Sequence, residues 1–266
     1  MNTNREPIFL LGGKDAEMQQ IKKRLSENWI SFLDKKLAWW AKIQAYRKEI
    51  IQILKQGKYP IAIELTGAGE KRYKKVGVID HHWELAAKNQ ASLLQVLDYI
   101  GVKPDLEDEL IAANDCGYIP EMLRTLEKHG IHDSKEQWKH IEYIRYLDRK
   151  AQGITSRHEK EAKEALNKKE VLFDGDFIIV QLPHNKSSLI SDELYGSYKN
   201  LLVLCEEKEL NFFGNGLICE ALYKKFWGWA GNINYGKDTN ETAYRWGYQN
   251  HKEVKHFIID YLSERE

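Results

Sequence analysis

The first half of this chain is built from short β-branched runs that break off at a glycine or an acid, with helical stretches between them. Pro7-Ile8-Phe9-Leu10-Leu11 stops at Gly12-Gly13, Pro60-Ile61-Ala62-Ile63-Glu64-Leu65 carries its acid at the C-terminal end, and Val76-Gly77-Val78-Ile79 stops at Asp80-His81-His82. After the first run, Met18, Ile21, Leu25, Trp29 and Phe32 recur at helical spacing, and so do Leu37, Trp40, Ile43, Ile50 and Leu54. Strands alternating with amphipathic helices predict an α/β fold, a mostly parallel sheet flanked by helices. In such a sheet the carboxyl ends of the strands are where ligands gather. The acids and histidines of this chain stand at those ends.

Further along, Ser92 to Leu97 opens a helix stopped by Gly101, and Asp105 caps another that delivers Asp115-Cys116-Gly117. Pro120 sits where a new helix would begin, a favoured place for proline. Residues 131–170 are charged and helical, with Trp138, Ile141, Ile144 and Leu147 as one apolar stripe, and read as a helical connector. Beyond them, Phe177 to Leu182, Leu201 to Leu204 and Leu210 to Phe213 are strands of a smaller C-terminal α/β domain. The expected division is 1–130, 131–170 and 171–266.

Forty basic residues balance forty acidic ones. No global field therefore draws the chain to a long duplex or an anionic membrane, while a short nucleotide remains compatible with a local patch. Three cysteines, Cys116, Cys205 and Cys219, lack any C-x-x-C pair, which fits a reducing compartment and argues against a thiolate zinc site. With no apolar stretch long enough to span a bilayer and no signal-peptide pattern, a cytoplasmic location is expected.

Each acid has a mundane reading when taken alone. Asp15 suits a helix N-terminus, Glu64 a solvated strand end, Asp115 a helix C-terminal turn. The parallel sheet brings them to one edge together with His81 and His82, and carboxylates with imidazole suit closely spaced Mn²⁺ or Mg²⁺.

The ordered set Asp15-Ala16-Glu17, Glu64, Asp80-His81-His82 and Asp115 resembles the DHH phosphoesterase superfamily. That superfamily includes RecJ-like exonucleases, oligoribonuclease-phosphatases, cyclic-dinucleotide phosphodiesterases and family II pyrophosphatases. The resemblance implies an N-terminal metal-binding domain and a smaller C-terminal substrate domain. It further implies that Asp15, Glu17, Glu64, His81 and Asp115 ligate metal, two ions of Mn²⁺ or Mg²⁺ or a single one, with Glu64 bridging a pair. His82 would face the substrate phosphate, and Asp80 would orient the histidines. In the second domain the glycine-rich segment would contact substrate through Gly228, Gly231 and Gly236, with Lys237 and Arg245 as the nearest cations.

Three departures stand out. Leu11 occupies the position of a family histidine, and Glu17 and Glu64 stand where the family has aspartates. Metal-dependent hydrolysis of a phosphodiester or phosphomonoester is the expected activity. The substrate would be a phosphate-containing small molecule, such as a nucleotide or cyclic nucleotide, or a short single-stranded oligonucleotide. The competing expectation is a degenerate module that binds a nucleotide or protein without turnover, as a homodimer or within a larger nuclease, defence or repair assembly. Its support is Leu11 and the abundance of Trp and Tyr, residues enriched at interfaces.

Overall fold

The computed structural model describes residues 5–82, 89–206, 209–231, 244–248 and 252–264. It divides into two compact units, 1–152 and 153–266. The 131–170 stretch contributes one helix to each.

The first unit runs β1 (Pro7–Leu11), α1 (Ala16–Glu27), β2 (Phe32–Asp34), α2 (Arg47–Lys55), β3 (Tyr59–Ile63), β4 (Gly77–Ile79), α3 (Ser92–Ile100), α4 (Leu106–Lys128) and α5 (Ser134–Ala151). Its four strands form one parallel sheet in the order β2-β1-β3-β4. One face of that sheet, with Ile8, Leu10 and Ala62, packs on Ile43, Tyr46, Ile50 and Ile53 from the α2 region. Phe9, Leu11, Ile61 and Ile63 are equally buried, so the strands are apolar along their whole length, as strands buried on both faces are.

Two helical expectations give way here. Phe32 lies in β2 and Trp29 in the turn before it, because α1 stops at Asn28 and Trp29 takes a positive φ of 57°. Phe32-Leu33-Asp34 instead pairs with Phe9-Leu10-Leu11. Leu37 and Trp40 fall in the loop 35–42, ahead of α2.

At the crossover of β1 into α1, Gly12 approaches β3 so closely that a methyl group would lie 2.8 Å from the carbonyl oxygens of both Ile63 and Glu64. Only glycine permits this, and the close approach brings the ends of β1 and β3 together. Helix α4 breaks at Tyr118 (φ 57°, ψ −148°) and resumes at Pro120, as the proline predicted.

The second unit runs α6 (Ser156–Leu166), β5 (Glu170–Leu172), β6 (Phe177–Leu182), α7 (Ser188–Glu193), β7 (Asn200–Cys205), β8 (Leu210–Gly214), α8 (Gly216–Phe226), β9 (Trp229–Gly231), β10 (Tyr244–Tyr248) and α9 (Lys252–Ser263). These strands form a mixed sheet, β5-β6-β7-β8-β10-β9, in which only β6 and β7 run parallel. The sheet is covered on one face by the Ala162, Ile190 and Leu194 cluster of α6, α7 and the turn after it. Ile218, Leu222, Val254 and Ile258 of α8 and α9 cover the other. Among the described residues, no helix is long and apolar enough to cross a membrane.

Candidate metal centre

The carboxyl ends of β3 and β4 place Glu64 and His81 side by side, and α1 and α4 bring Glu17 and Asp115 to them. His81 Nε2 is the hub. It lies 2.8 Å from Asp115 Oδ2, 3.4 Å from Glu64 Oε1 and 3.6 Å from Glu17 Oε2. Donor atoms of Glu64, His81, His82 and Asp115 all fall within 4.8 Å of one another.

Each side chain is aimed by a specific contact. Glu17 Oε1 accepts the Leu93 N–H at the start of α3 (2.9 Å), which leaves Oε2 facing His81. Glu64 sits at a positive φ of 50°, a conformation unfavourable for a glutamate, and its N–H donates to the Ile79 carbonyl. Such strain concentrates where a site over-determines the backbone. Cys116 Sγ lies 3.6 Å from His81 Nδ1, at the back of the ring. No spacing rule pointed to that thiol, whose only sequence signal is that it follows Asp115.

Glu17 Oε2, Glu64 Oε1 and His81 Nε2 are buried, and both carboxylate oxygens, with Asp115 Oδ2, meet His81 Nε2 as ion pairs rather than in well-formed hydrogen bonds. Buried polar atoms are normally satisfied, so a group of them converging without well-formed hydrogen bonds is what a cation would complete. Carboxylate oxygens with one imidazole suit Mn²⁺ or Mg²⁺. The residues present fit the ion.

Asp15 stands apart. Its Oδ1 caps α1 by accepting the Met18 N–H at 2.9 Å, and its Oδ2 accepts the indole N–H of Trp39 at 2.8 Å. Leu11, 2% exposed in the sheet, offers no ligand atom. His82 sits beside the hub, its ring 4.5 Å from that of His81. Asp80 Oδ1 accepts from both the His82 backbone N–H and the ring Nδ1, each at 2.9 Å.

The electrostatics follow from this crowding. Burial, then repulsion from Glu64 and Asp115, pushes the Asp15 carboxyl up to about 8. Burial and the neighbouring Glu17 likewise hold Glu64 at about 8. Burial opposes charge on His82, yet Asp80 and the carboxylates of Glu64 and Asp115 outweigh it and raise the imidazole to about 9. His81 is raised as well, because contacts with Asp115, Cys116, Glu17 and Glu64 overcome its burial. Asp80 is lowered despite burial by its bonds to His82.

One consequence is measurable. His82 stabilises the fold fully below its ordinary 6.5 and loses that contribution as pH rises through about 9. The raised acids Asp15 and Glu64 shed protons up to about 8 and lower stability as they do so. Chelator-treated protein is therefore expected to melt at progressively lower temperature from pH 6.5 to 9. Mn²⁺ binding, which needs deprotonated ligands, is expected to strengthen over the same range. Thermal melts with and without Mn²⁺ check both, and a flat profile in chelator would contradict these charge assignments.

The glycine-rich segment of the second unit is described in part. Gly228 has a φ of 94°, and a methyl group there would collide with the Gly247 carbonyl. Gly231 pairs with Arg245 across β9 and β10. Gly236 and Lys237 lie outside the described residues. Trp246 is fully buried and donates its indole N–H to the Trp227 carbonyl, which makes it core.

No protein-family model and no curated protein matches this sequence. Solved structures do. An exopolyphosphatase-related protein from Bacteroides fragilis aligns over 98% of this chain and 93% of its own, with a TM-score of 0.52 and 10% identity. A pGpG-specific phosphodiesterase from Vibrio cholerae aligns over 98% of both chains, with a TM-score of 0.44 and 12% identity. The chain thus shares the fold of the exopolyphosphatase-related protein, and the acids and histidines of its parallel sheet gather at the carboxyl ends of the strands.

Proposed function

We propose that this protein is a divalent-metal-dependent phosphoesterase acting on a nucleotide, cyclic nucleotide or short oligonucleotide. The observation that carries this reading is the convergence of buried oxygens of Glu17 and Glu64 on His81 Nε2 without well-formed hydrogen bonds. In this reading Glu17, Glu64, His81 and Asp115 hold one Mn²⁺ or Mg²⁺. A bound ion of this kind supplies a nucleophile from water near neutral pH and neutralises charge on the phosphoryl oxygens.

The chain's own residues do the rest. Asp80 fixes the His82 ring through Nδ1, so Nε2 is the nitrogen left for a phosphate oxygen. The bond to Asp80 favours the protonated ring, and a charge-assisted bond to phosphate is stronger than a neutral one. Asp15 is engaged through both oxygens, which supports one ion rather than two. The same engagement favours the second reading, a module that binds a nucleotide without turnover.

The test is a panel of nucleotides, cyclic dinucleotides and short oligonucleotides incubated with Mn²⁺, alongside calorimetric counting of the ion. Hydrolysis of at least one member, abolished by chelator, with one ion per chain is the expected result. An untouched panel with Mn²⁺ bound would leave the binding module. No Mn²⁺ binding at all would remove the metal centre itself.

A further inference from the structure

The loop 35–42 carries two tryptophans in succession, and both reach the candidate centre. The Trp39 indole N–H donates to Asp15 Oδ2 at 2.8 Å, and the Trp40 ring meets the His82 ring edge-on, with centroids 5.6 Å apart. Each nonetheless leaves nearly half its surface open, 45% for Trp39 and 49% for Trp40.

We propose that Trp39 and Trp40 form a base-binding subsite, stacking the purine or pyrimidine ring of a nucleotide whose phosphate lies at His82. This rests on the phosphoesterase reading above and names the residues that would hold the base of its substrate.

Three features support it. Asp15 Oδ1 is itself fixed by the α1 cap, so Trp39 hangs from a rigid point rather than from its loop. A ring held in place before binding loses little freedom when a ligand arrives. Trp40 takes a positive φ of 64°, an unfavourable conformation for a bulky residue. The chemistry is complementary as well, since Asp80 holds the His82 ring through Nδ1 and leaves Nε2 for phosphate, while the neighbouring indoles offer faces to the base. An inorganic phosphate chain would gain nothing from two indoles.

The experiment is calorimetry on the full chain loaded with Mn²⁺, titrated with GMP, ribose 5-phosphate and inorganic phosphate. Wild type is expected to bind GMP roughly 5- to 140-fold more tightly than ribose 5-phosphate, the ratio that 1–3 kcal/mol of base stacking gives at 1.4 kcal/mol per decade. Trp40→Ala is expected to erase that ratio while Mn²⁺ and ribose 5-phosphate still bind as in wild type, which also shows that the variant is folded. Trp40→Phe should retain most of the preference. Trp39→Phe, which keeps a ring but loses the N–H anchor, should retain part of it. Equal binding of GMP and ribose 5-phosphate to wild type would overturn the subsite, and so would a Trp40→Ala defect shared by all three ligands. Either result leaves the phosphoesterase reading standing if Mn²⁺ and phosphate bind. Failure of wild type to bind Mn²⁺ or phosphate removes that reading and the subsite with it.

Discussion

His81→Ala is expected to abolish measurable Mn²⁺ binding and to lower hydrolysis by more than about 100-fold, above the range typical of residues that merely support a metal ligand. The expectation comes from the position of Nε2, within 3.6 Å of oxygens on Glu17, Glu64 and Asp115. No other imidazole among the described residues touches all three carboxylates. The substitution removes a metal ligand and also the group that balances those acids before metal arrives. Glu64, already at about 8, would then hold its proton more tightly and compete harder with the ion. His82→Ala supplies the contrast. It leaves those contacts intact, so Mn²⁺ should still bind while phosphate affinity and turnover fall. Calorimetry and a hydrolysis assay on the two variants separate the roles. If His81→Ala kept Mn²⁺ affinity within about tenfold of wild type, the hub would have to be placed elsewhere.

The parts of this centre that were legible in the sequence are those fixed by local chemistry. An acid and two histidines ending a β-branched run mark the edge of a parallel sheet, and β4 ends there. The Asp105 cap and the helix start at Pro120 are likewise local, and α4 follows them. The parts that were not legible depend on distant partners. Phe32 fits a helical stripe by spacing, and only pairing with Phe9 makes it a strand. Trp40 fits a stripe equally well, and its destination beside His82 is a tertiary contact with no periodicity. Trp39 points its indole N–H at a carboxylate 24 positions earlier, which no window of sequence reveals. Glu17 was legible as an acid near the turn, but its fixing by the Leu93 N–H joins two helices 76 positions apart.

Asp148→Ala is expected to destabilise the first unit by about 3–5 kcal/mol, the usual cost of removing one partner from a buried ion pair. Its transition should fall by roughly 6–20 °C for a chain of this size. Arg145 and Asp148 lie one turn apart on α5, with side chains only 6% and 7% exposed, and meet at 2.7 Å. The carboxylate also accepts the Ala16 N–H at the start of α1 (3.3 Å) and the Gln152 amide (2.9 Å). Arg145 reaches α4 as well, donating to Asn114 Oδ1 at 2.9 Å and lying over the Tyr118 ring at 4.9 Å. Removing Asp148 therefore takes a buried carboxylate from the Arg145 guanidinium and an acceptor from the Ala16 N–H. Both ends of the candidate centre rest on this pair: Asp15 and Glu17 flank Ala16, and Asp115 follows Asn114. Mn²⁺ affinity should fall together with stability, although neither Arg145 nor Asp148 is proposed to touch the ion. A double variant, Arg145→Met with Asp148→Leu, removes the charge imbalance and should recover most of the loss, since apolar replacement of a buried ion pair is often neutral. Scanning calorimetry that resolves the transition of the first unit, paired with Mn²⁺ titration, decides the matter. A single variant as stable as wild type would mean that the pair contributes nothing to the placement of α1 and α4.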